Sequence, residues 1–229
     1  MSPRRVDPQA RSLLVDIAAR LLAEEGPQAL SARRVATEAG SSTMPLYTHF
    51  GGMSGLVREI VHEGFARMQA HFDLVRKSAD PVADMALFGR AYRHNARTNP
   101  HLYSVMFGGS SLAGFSLSEE DRQHGRYTLT HVVECASRCI EAGRFATTDA
   151  ELTAHHMWAA THGLVILELG EYLIPPYDAG HCFETQLVGL MVGAGDSPEA
   201  AARSVALSRL RQDEELAGVP APHPEAVPG

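Results

Sequence analysis

Leu30-Ser-Ala-Arg-Arg-Val-Ala-Thr-Glu-Ala-Gly-Ser-Ser-Thr-Met-Pro-Leu-Tyr-Thr-His-Phe50 is the stretch on which the reading of this chain turns. Ser31 caps a short helix reaching Ala39, and Gly40 supplies the left-handed residue that ends it. Ser41 or Ser42 caps a second helix, which reaches Phe50 before Gly51-Gly52. Val35, Ala36 and Ala39 face inward on the first helix, Leu46 and Phe50 on the second, and the small residues at 36 and 39 allow a close crossing. Two short helices around a Gly-led turn form a helix-turn-helix pattern. Ser42, Thr43, Met44 and Tyr47 remain exposed at the start of the second helix, where such groups suit base edges and phosphates. On spacing alone, an ordinary αα-hairpin is the alternative.

Working outward, helix signals recur and no strand-like alternation persists. Upstream, Asp7-Pro8 offers a cap with Pro at the first helical position, and Leu13, Leu14, Ile17, Ala18, Leu21 and Leu22 form one stripe stopped by Gly26-Pro27. Downstream, Leu56, Ile60, Gly64, Met68 and Phe72 recur every fourth residue, predicting one long helix to about Lys77. Asp80-Pro81 opens another that closes before Asn99-Pro100. A short apolar piece runs from Leu102 to Phe107, followed by a Gly/Ser-rich loop over 108–116. Ser118-Glu-Glu-Asp121 has the capping-box pattern and predicts a helix ending near Gly143. Thr148-Asp-Ala-Glu151 repeats the signature and opens a helix through Leu169. Pro175-Pro176 breaks the chain, a helix follows around 181–194, and Ser197-Pro198 opens a last one to about Leu216. The expectation is an all-α protein of about ten helices: a three-helix helix-turn-helix domain over 8–55, a larger helical domain over 56–216, and a Pro-rich disordered tail over 217–229.

The chain has 229 residues, 45% hydrophobic and 21% charged, with a formal net charge of −7. That length buries a full core, and the balance argues against disorder. No run of about 18 apolar residues occurs, and the first twenty residues are interrupted by charges, which argues against a membrane span or signal peptide. Three cysteines fit a reducing, cytoplasmic setting. Taken whole, the acidity argues against a nucleic-acid partner, but it is unevenly spread. Residues 1–50 carry a net +1, and the remainder carries −8. Nineteen of the twenty basic residues are Arg, which reads as coding bias rather than physics.

The Leu30–Gly40 block, Ala18 to Gly26 before it, and above all Leu46-Tyr47-Thr48-His49-Phe50 followed by Leu56 resemble the tetracycline-repressor (TetR) family of bacterial transcription regulators. The resemblance covers about residues 10–60. It implies that Arg33 reaches DNA from the first helix of the motif, that Thr43 and Met44 read bases, that Tyr47 and His49 contact phosphate, and that Ser42 caps the recognition helix. Met53 departs from the pattern, standing where the family often has a phosphate-binding Lys. Arg4, Arg5 and Arg11 either add backbone contacts or form a solvated tail.

Further on, Asn99-Pro-His-Leu-Tyr-Ser-Val-Met-Phe107 and Trp158-Ala-Ala-Thr-His-Gly163 are similar to a TetR subgroup with a Trp…His-Gly signature. Trp158 and His162 share a helix face. They are expected to border a pocket for a small, largely apolar effector, lined also by Phe65, Met68, Phe72, Tyr92, Tyr103, Met106, Phe107 and Phe115. The alternative for each of these is plain core. In the family, two late helices per subunit build a four-helix homodimer interface. The helices at 149–169 and 181–194, with Gly163, Gly189 and Gly193 for close approach, are the candidates.

Rival chemistries lack their residues. Glu59-Ile-Val-His62 would serve a di-iron bundle, but its nearest counterpart, Asp121-Arg-Gln-His124, has the wrong acid. His62-Glu63 lacks the second His of a zinc peptidase, and Gly109-Ser-Ser-Leu-Ala113 fails as a nucleophile elbow. His131, Cys135 and Cys139 form a stripe at i, i+4 and i+8 that suits packing better than metal or redox chemistry. His155 and His156 point about 100° apart and chelate poorly. The expectation is a cytoplasmic, dimeric, ligand-responsive regulator of double-stranded operator DNA, a repressor in sign, without enzymatic activity, cofactor, metal or membrane partner. The alternative, suggested by Met53 and the sparse positive charge, is a helical small-molecule-binding protein with weak or lost DNA binding.

Overall fold

The computed structural model describes residues 8–107 and 118–218. Among them are eleven α-helices, two 3-10 turns and no strand. The helices are α1 (Pro8–Glu24), α2 (Ala32–Glu38), α3 (Met44–Phe50), α4 (Met53–Asp73), α5 (Pro81–Thr98), α6 (Pro100–Met106), α7 (Glu119–Thr128), α8 (Thr130–Glu141), α9 (Ala150–Leu169), α10 (Ala179–Gly193) and α11 (Pro198–Glu215). Two compact units divide the described chain: 8–67, 99–107 and 118–124 form the first, and 68–98 and 125–218 the second.

In the first unit, α1 buries Leu14, Val15, Ala18, Ala19, Leu21 and Leu22 against Val35 of α2 and Leu46 of α3. The expected stripe shifts slightly: Leu13 turns outward at 41% exposure, and Val15 and Ala19 face inward instead. Leu56 and Ile60 of α4 and Leu102 and Val105 of α6 complete the same core. Arg67 ties α1, α4 and Asn99 together. Its guanidinium donates to Asp16 at 2.8 Å, Glu63 at 2.9 Å and the Asn99 side chain at 2.8 Å.

In the second unit α5 packs against α8, α9 and α11 and is buried almost all round. A helix in that position is expected to be apolar, yet it carries two buried charges. Asp84 accepts hydrogen bonds from the Ser78 amide and hydroxyl, Arg138 and Arg211, all at 2.6–2.9 Å. Burial pushes its carboxyl up, but the Ser78 bonds and the two guanidiniums outweigh that and hold it below the usual carboxylate range. Arg90 donates to both Glu184 oxygens at 2.6 and 2.8 Å, to Ser208 at 2.8 Å and to the Val205 carbonyl at 3.1 Å. Both charges taken from water are thus met by several partners, as burial requires.

Local signals set several boundaries differently from the sequence reading. The helix expected to run from Ser118 to near Gly143 is two helices, α7 and α8, separated at Leu129. The second capping signal holds, but the cap is Asp149, which accepts from the Leu152 amide at 2.8 Å, and not Thr148. The long helix after the motif stops at Asp73, four residues before Lys77. The short apolar piece begins at Pro100 and ends at Met106 rather than spanning Leu102 to Phe107. The Asp7 cap, the 108–116 loop and the 219–229 tail lie outside the described residues. Ala217 and Gly218 close a 3-10 turn that starts at the buried Leu216.

The connection after α9 takes a less usual route. Glu171 adopts the left-handed conformation (φ 60°) at a helix end where Gly is the ordinary choice. Its amide donates to the Glu168 carbonyl and that of Tyr172 to the Leu167 carbonyl, both at 3.0 Å, closing the helix end. Tyr172 then folds back over Gly170, where an added Cβ would meet the ring at 2.8 Å.

Two stability measurements check this account. Asp84→Asn, which leaves two guanidiniums under-compensated, is expected to lower the unfolding free energy by about 3 kcal/mol in urea titration. Because the folded Asp84 carboxyl lies below its unfolded value, its contribution is present above about pH 4 and fades as pH falls through the folded pKa. Acid unfolding of the wild type should therefore steepen below pH 4, and Asp84→Asn should flatten it. Glu171→Gly relieves the left-handed strain and is expected to stabilise by up to about 1 kcal/mol.

Candidate functional site

The helix-turn-helix is built as its residues dictate. Ser31 caps α2 by accepting from the Arg34 amide at 3.2 Å. Gly40, at φ 60°, donates to the Thr37 carbonyl and Ser41 donates to the Ala36 carbonyl, so the α2 end is closed by a left-handed glycine as its position requires. The start of α3 differs from expectation. Thr43 takes the cap position without a side-chain bond, and Ser42, one residue earlier, accepts a long 3.4 Å contact from the Met44 amide. The reason is Pro45: it lacks an amide hydrogen, so one capping donor is missing. After α3, Gly55 is pressed against the Phe50 carbonyl, which an added Cβ would meet at 1.8 Å. That contact locks the recognition helix to α4.

Several side chains of the motif stay in solvent. Met44 is 67% and Tyr47 55% exposed, Arg33 and Ser42 are exposed, and Thr43 is half-buried. His49 is half-buried beside the Phe50 ring, and its Nδ1 takes no hydrogen bond from the described residues. Met53 packs onto the hydrophobic core and is not available to a phosphate.

Charge separates the arginines further than the sequence did. Arg11 pairs with Glu59, Arg20 with Glu24 and Glu38, and Arg34 with Glu25 and Glu38. Among the described residues of the motif, Arg33 makes no such pair. The i,i+4 spacing of Arg20–Glu24 and Arg34–Glu38 was legible in sequence; the bridge from Arg20 to Glu38 needed the fold.

The expected effector residues divide between the units, and Phe115 lies outside the described residues. In the first unit, the Phe65, Phe107 and Tyr103 rings meet edge-on at 5.4–5.6 Å, with Met106 against Gly64. Tyr103 and Met106 are fully buried there. In the second unit, Met68 is buried and Phe72 packs edge-on against Phe88. Tyr92, Trp158 and His162 converge. The Trp158 indole donates to the Tyr92 hydroxyl at 3.3 Å, and that hydroxyl lies 2.9 Å from His162 Nδ1. Burial holds the His162 imidazole below its usual pKa, so it is neutral near pH 7 and able to accept from Tyr92. Tyr92 is one of the lining residues expected beside Trp158 and His162; the hydrogen bonds that join the three needed the fold.

Gly163 on α9 and Gly189 and Gly193 on α10 are exposed, with nothing within 4 Å of an added Cβ. Cys135 and Cys139 are buried, and the Cys139 thiol together with burial pushes the Cys135 thiol up, which rules it out as a ready thiolate. Among the described residues no group of His, Cys, Asp and Glu is placed to hold a metal, and no helix is long and apolar enough to cross a membrane.

Architecture and exposed face define a helix-turn-helix protein. Residues 14–60 match the family described as bacterial regulatory proteins, tetR family, and 85–190 match the tetracyclin repressor-like C-terminal domain. The chain belongs to the tetR family of bacterial regulators. No curated protein matches it in sequence. Solved structures share the fold at low identity. One is a protein of unknown function from a Rhodococcus species, with 22% identity over 86% of this chain and 100% of that one and a TM-score of 0.69. The TetR family transcriptional regulator PfmR from Thermus thermophilus has 22% identity over 80% and 99%, with a TM-score of 0.63. The fatty acid degradation regulator FadR from Bacillus halodurans has 15% identity over 83% and 98%, with a TM-score of 0.68.

Gly55→Ala is expected to destabilise the fold by at least about 2 kcal/mol, since backbone must move to admit the methyl. Trp158, the one tryptophan, reports on His162. Its emission should fall on acidification with a midpoint below pH 6.5, and His162→Gln should remove that transition.

Proposed function

We infer that the protein is a cytoplasmic, ligand-responsive transcriptional repressor that binds a palindromic operator as a homodimer. The observation that carries the DNA contact is Arg33: alone among the described arginines of the motif it has no acid partner, and like Ser42, Met44 and Tyr47 it is exposed. In this reading residues 8–55 are the DNA-binding head and 56–216 the effector and dimer region. Each subunit lays α3 in a major groove. Arg33, Thr43 and Met44 meet base edges, while Tyr47, His49 and Ser42 position the helix on phosphates. A dimer is required because one helix reads too few bases. Two-fold symmetry sets the two recognition helices about 34–36 Å apart, or a multiple of that. The exposed glycines of α9 and α10 are the surfaces that pair. The tetR family is one of DNA-binding regulators rather than enzymes.

The effector is read as small and largely apolar, recognised by aromatic residues and above all by the Tyr92–Trp158–His162 cluster of the Trp…His-Gly subgroup. A ligand shifts the DNA-bound population only by its differential affinity for the two states, and 100-fold release corresponds to about 2.7 kcal/mol of coupling. The alternative reading, a ligand-binding protein with weak DNA affinity, is favoured by one observation, the core-packed Met53.

Fluorescence anisotropy with the DNA upstream of the protein's own gene separates the two readings. The regulator binds it at least about 1000-fold, or about 4 kcal/mol, more tightly than random duplex. Equal affinity for both duplexes would leave only the alternative. Arg33→Ala is expected to cost about 1–3 kcal/mol on the operator. Thr43→Ala should weaken operator binding more than random-duplex binding. Replacing Trp158 and His162 together should abolish release by an inducer that releases the wild type.

A further inference from the structure

The connector between α9 and α10 has an unusual composition for a surface segment. Residues 172–177 read Tyr-Leu-Ile-Pro-Pro-Tyr and carry no charge, while Glu171 and Asp178 flank them. Tyr172, Ile174 and Tyr177 are 76%, 67% and 68% exposed, among the most exposed large apolar side chains of the described chain. Single exposed hydrophobes are ordinary, but three in six residues form a patch.

The segment is held in place. The left-handed Glu171 sets its direction, and the Tyr172 amide donates back to the Leu167 carbonyl. The Tyr172 ring lies over Gly170. The Tyr177 amide donates to the Ile174 carbonyl at 2.9 Å, and the Cys182 thiol contacts the Tyr177 carbonyl at 3.4 Å. Asp178 then caps α10 by accepting from the His181 amide at 3.0 Å. The apolar side chains are therefore presented outward by a defined backbone.

We propose that this connector is an intersubunit arm, packed in the homodimer against a second copy of the chain. The inference rests on the α9/α10 pairing proposed above and extends it. Area is the argument. A stable dimer needs roughly 800 Å² from each partner. Gly163, Gly189 and Gly193 permit close backbone approach but supply almost no side-chain surface, and the exposed large apolar side chains of α9, Leu152, Trp158, Ile166 and Leu167, are each only about half exposed or less. The two tyrosines and Ile174 together offer about 400 Å² of the missing surface. They follow the exposed Ile166 and Leu167 at the end of α9, and the Tyr172 amide ties the start of the arm to the Leu167 carbonyl. Tyrosine is also the residue type that interfaces favour at their centres.

The test is sedimentation equilibrium of the full chain over a dilution series. It compares wild type, the triple variant Tyr172→Ser/Ile174→Ser/Tyr177→Ser, and the single variant Ile174→Glu. The altered side chains are solvent-exposed in the single chain, so circular dichroism should be unchanged; Ile174→Glu serves if the triple variant misfolds. The proposal expects a dimeric wild type and a dissociation constant raised at least about tenfold in each folded variant. A dimeric wild type whose variants dissociate at the same concentration overturns the arm and leaves the α9/α10 pairing standing. A monomeric wild type overturns both.

Discussion

Leu14, Val15, Leu21, Leu22, Val35 and Leu46 are shielded from water because Leu56, Ile60, Leu102 and Val105 close over them. The first three helices, two of them only seven residues long, are too small to bury an adequate core by themselves. Their stability is borrowed from α4 and α6, and this dependence organises the first unit. Arg67 reinforces it with ion pairs to Asp16 and Glu63 and a hydrogen bond to Asn99. The recognition helix, only seven residues long, keeps its place through the buried Leu46 and the close approach of Gly55 to Phe50.

The second unit solves a different problem. Its central helix, α5, is surrounded by other helices and still carries Asp84 and Arg90. Both charges are held by several partners drawn from distant parts of the sequence, Arg138 and Arg211 for one, Glu184, Ser208 and Val205 for the other. A buried pair of this kind contributes little net stability compared with apolar packing, yet it strongly penalises any arrangement in which a partner is missing. The network therefore specifies how α5, α8, α10 and α11 sit against one another within the unit.

What could be read from sequence follows the range of the interaction. Caps and stops are local, so Ser31, Gly40, Ser197 and the Asn99-Pro100 boundary were visible. The all-α class followed from periodicity, and the family from the Leu46–Phe50 run. The break at Leu129 was not legible, because the helix signal on both sides is continuous. The Ser42 cap was misjudged because Pro45 alters the first turn of α3. Among the effector residues, Trp158 and His162 were paired by their spacing, but their partner Tyr92 lies on α5. The bridges from Arg20 to Glu38 and from Arg34 to Glu25 likewise depend on α1 and α2 meeting. Exposure of Tyr172, Ile174 and Tyr177 had no sequence signal at all, since an apolar run is ordinarily read as buried.

The sharing of one core between α1 and α6 has a consequence for synthesis. Helix α1 emerges from the ribosome long before Leu102 and Val105, which lie beyond the whole of α5. At about 5–20 residues per second, the roughly 45 residues between Ile60 and Val105 take about 2–9 s to be added. During that interval the part of α1's cover that α6 supplies has not been made. The core shared by α1, α2, α3 and α4 is therefore completed only after α6 has left the exit tunnel.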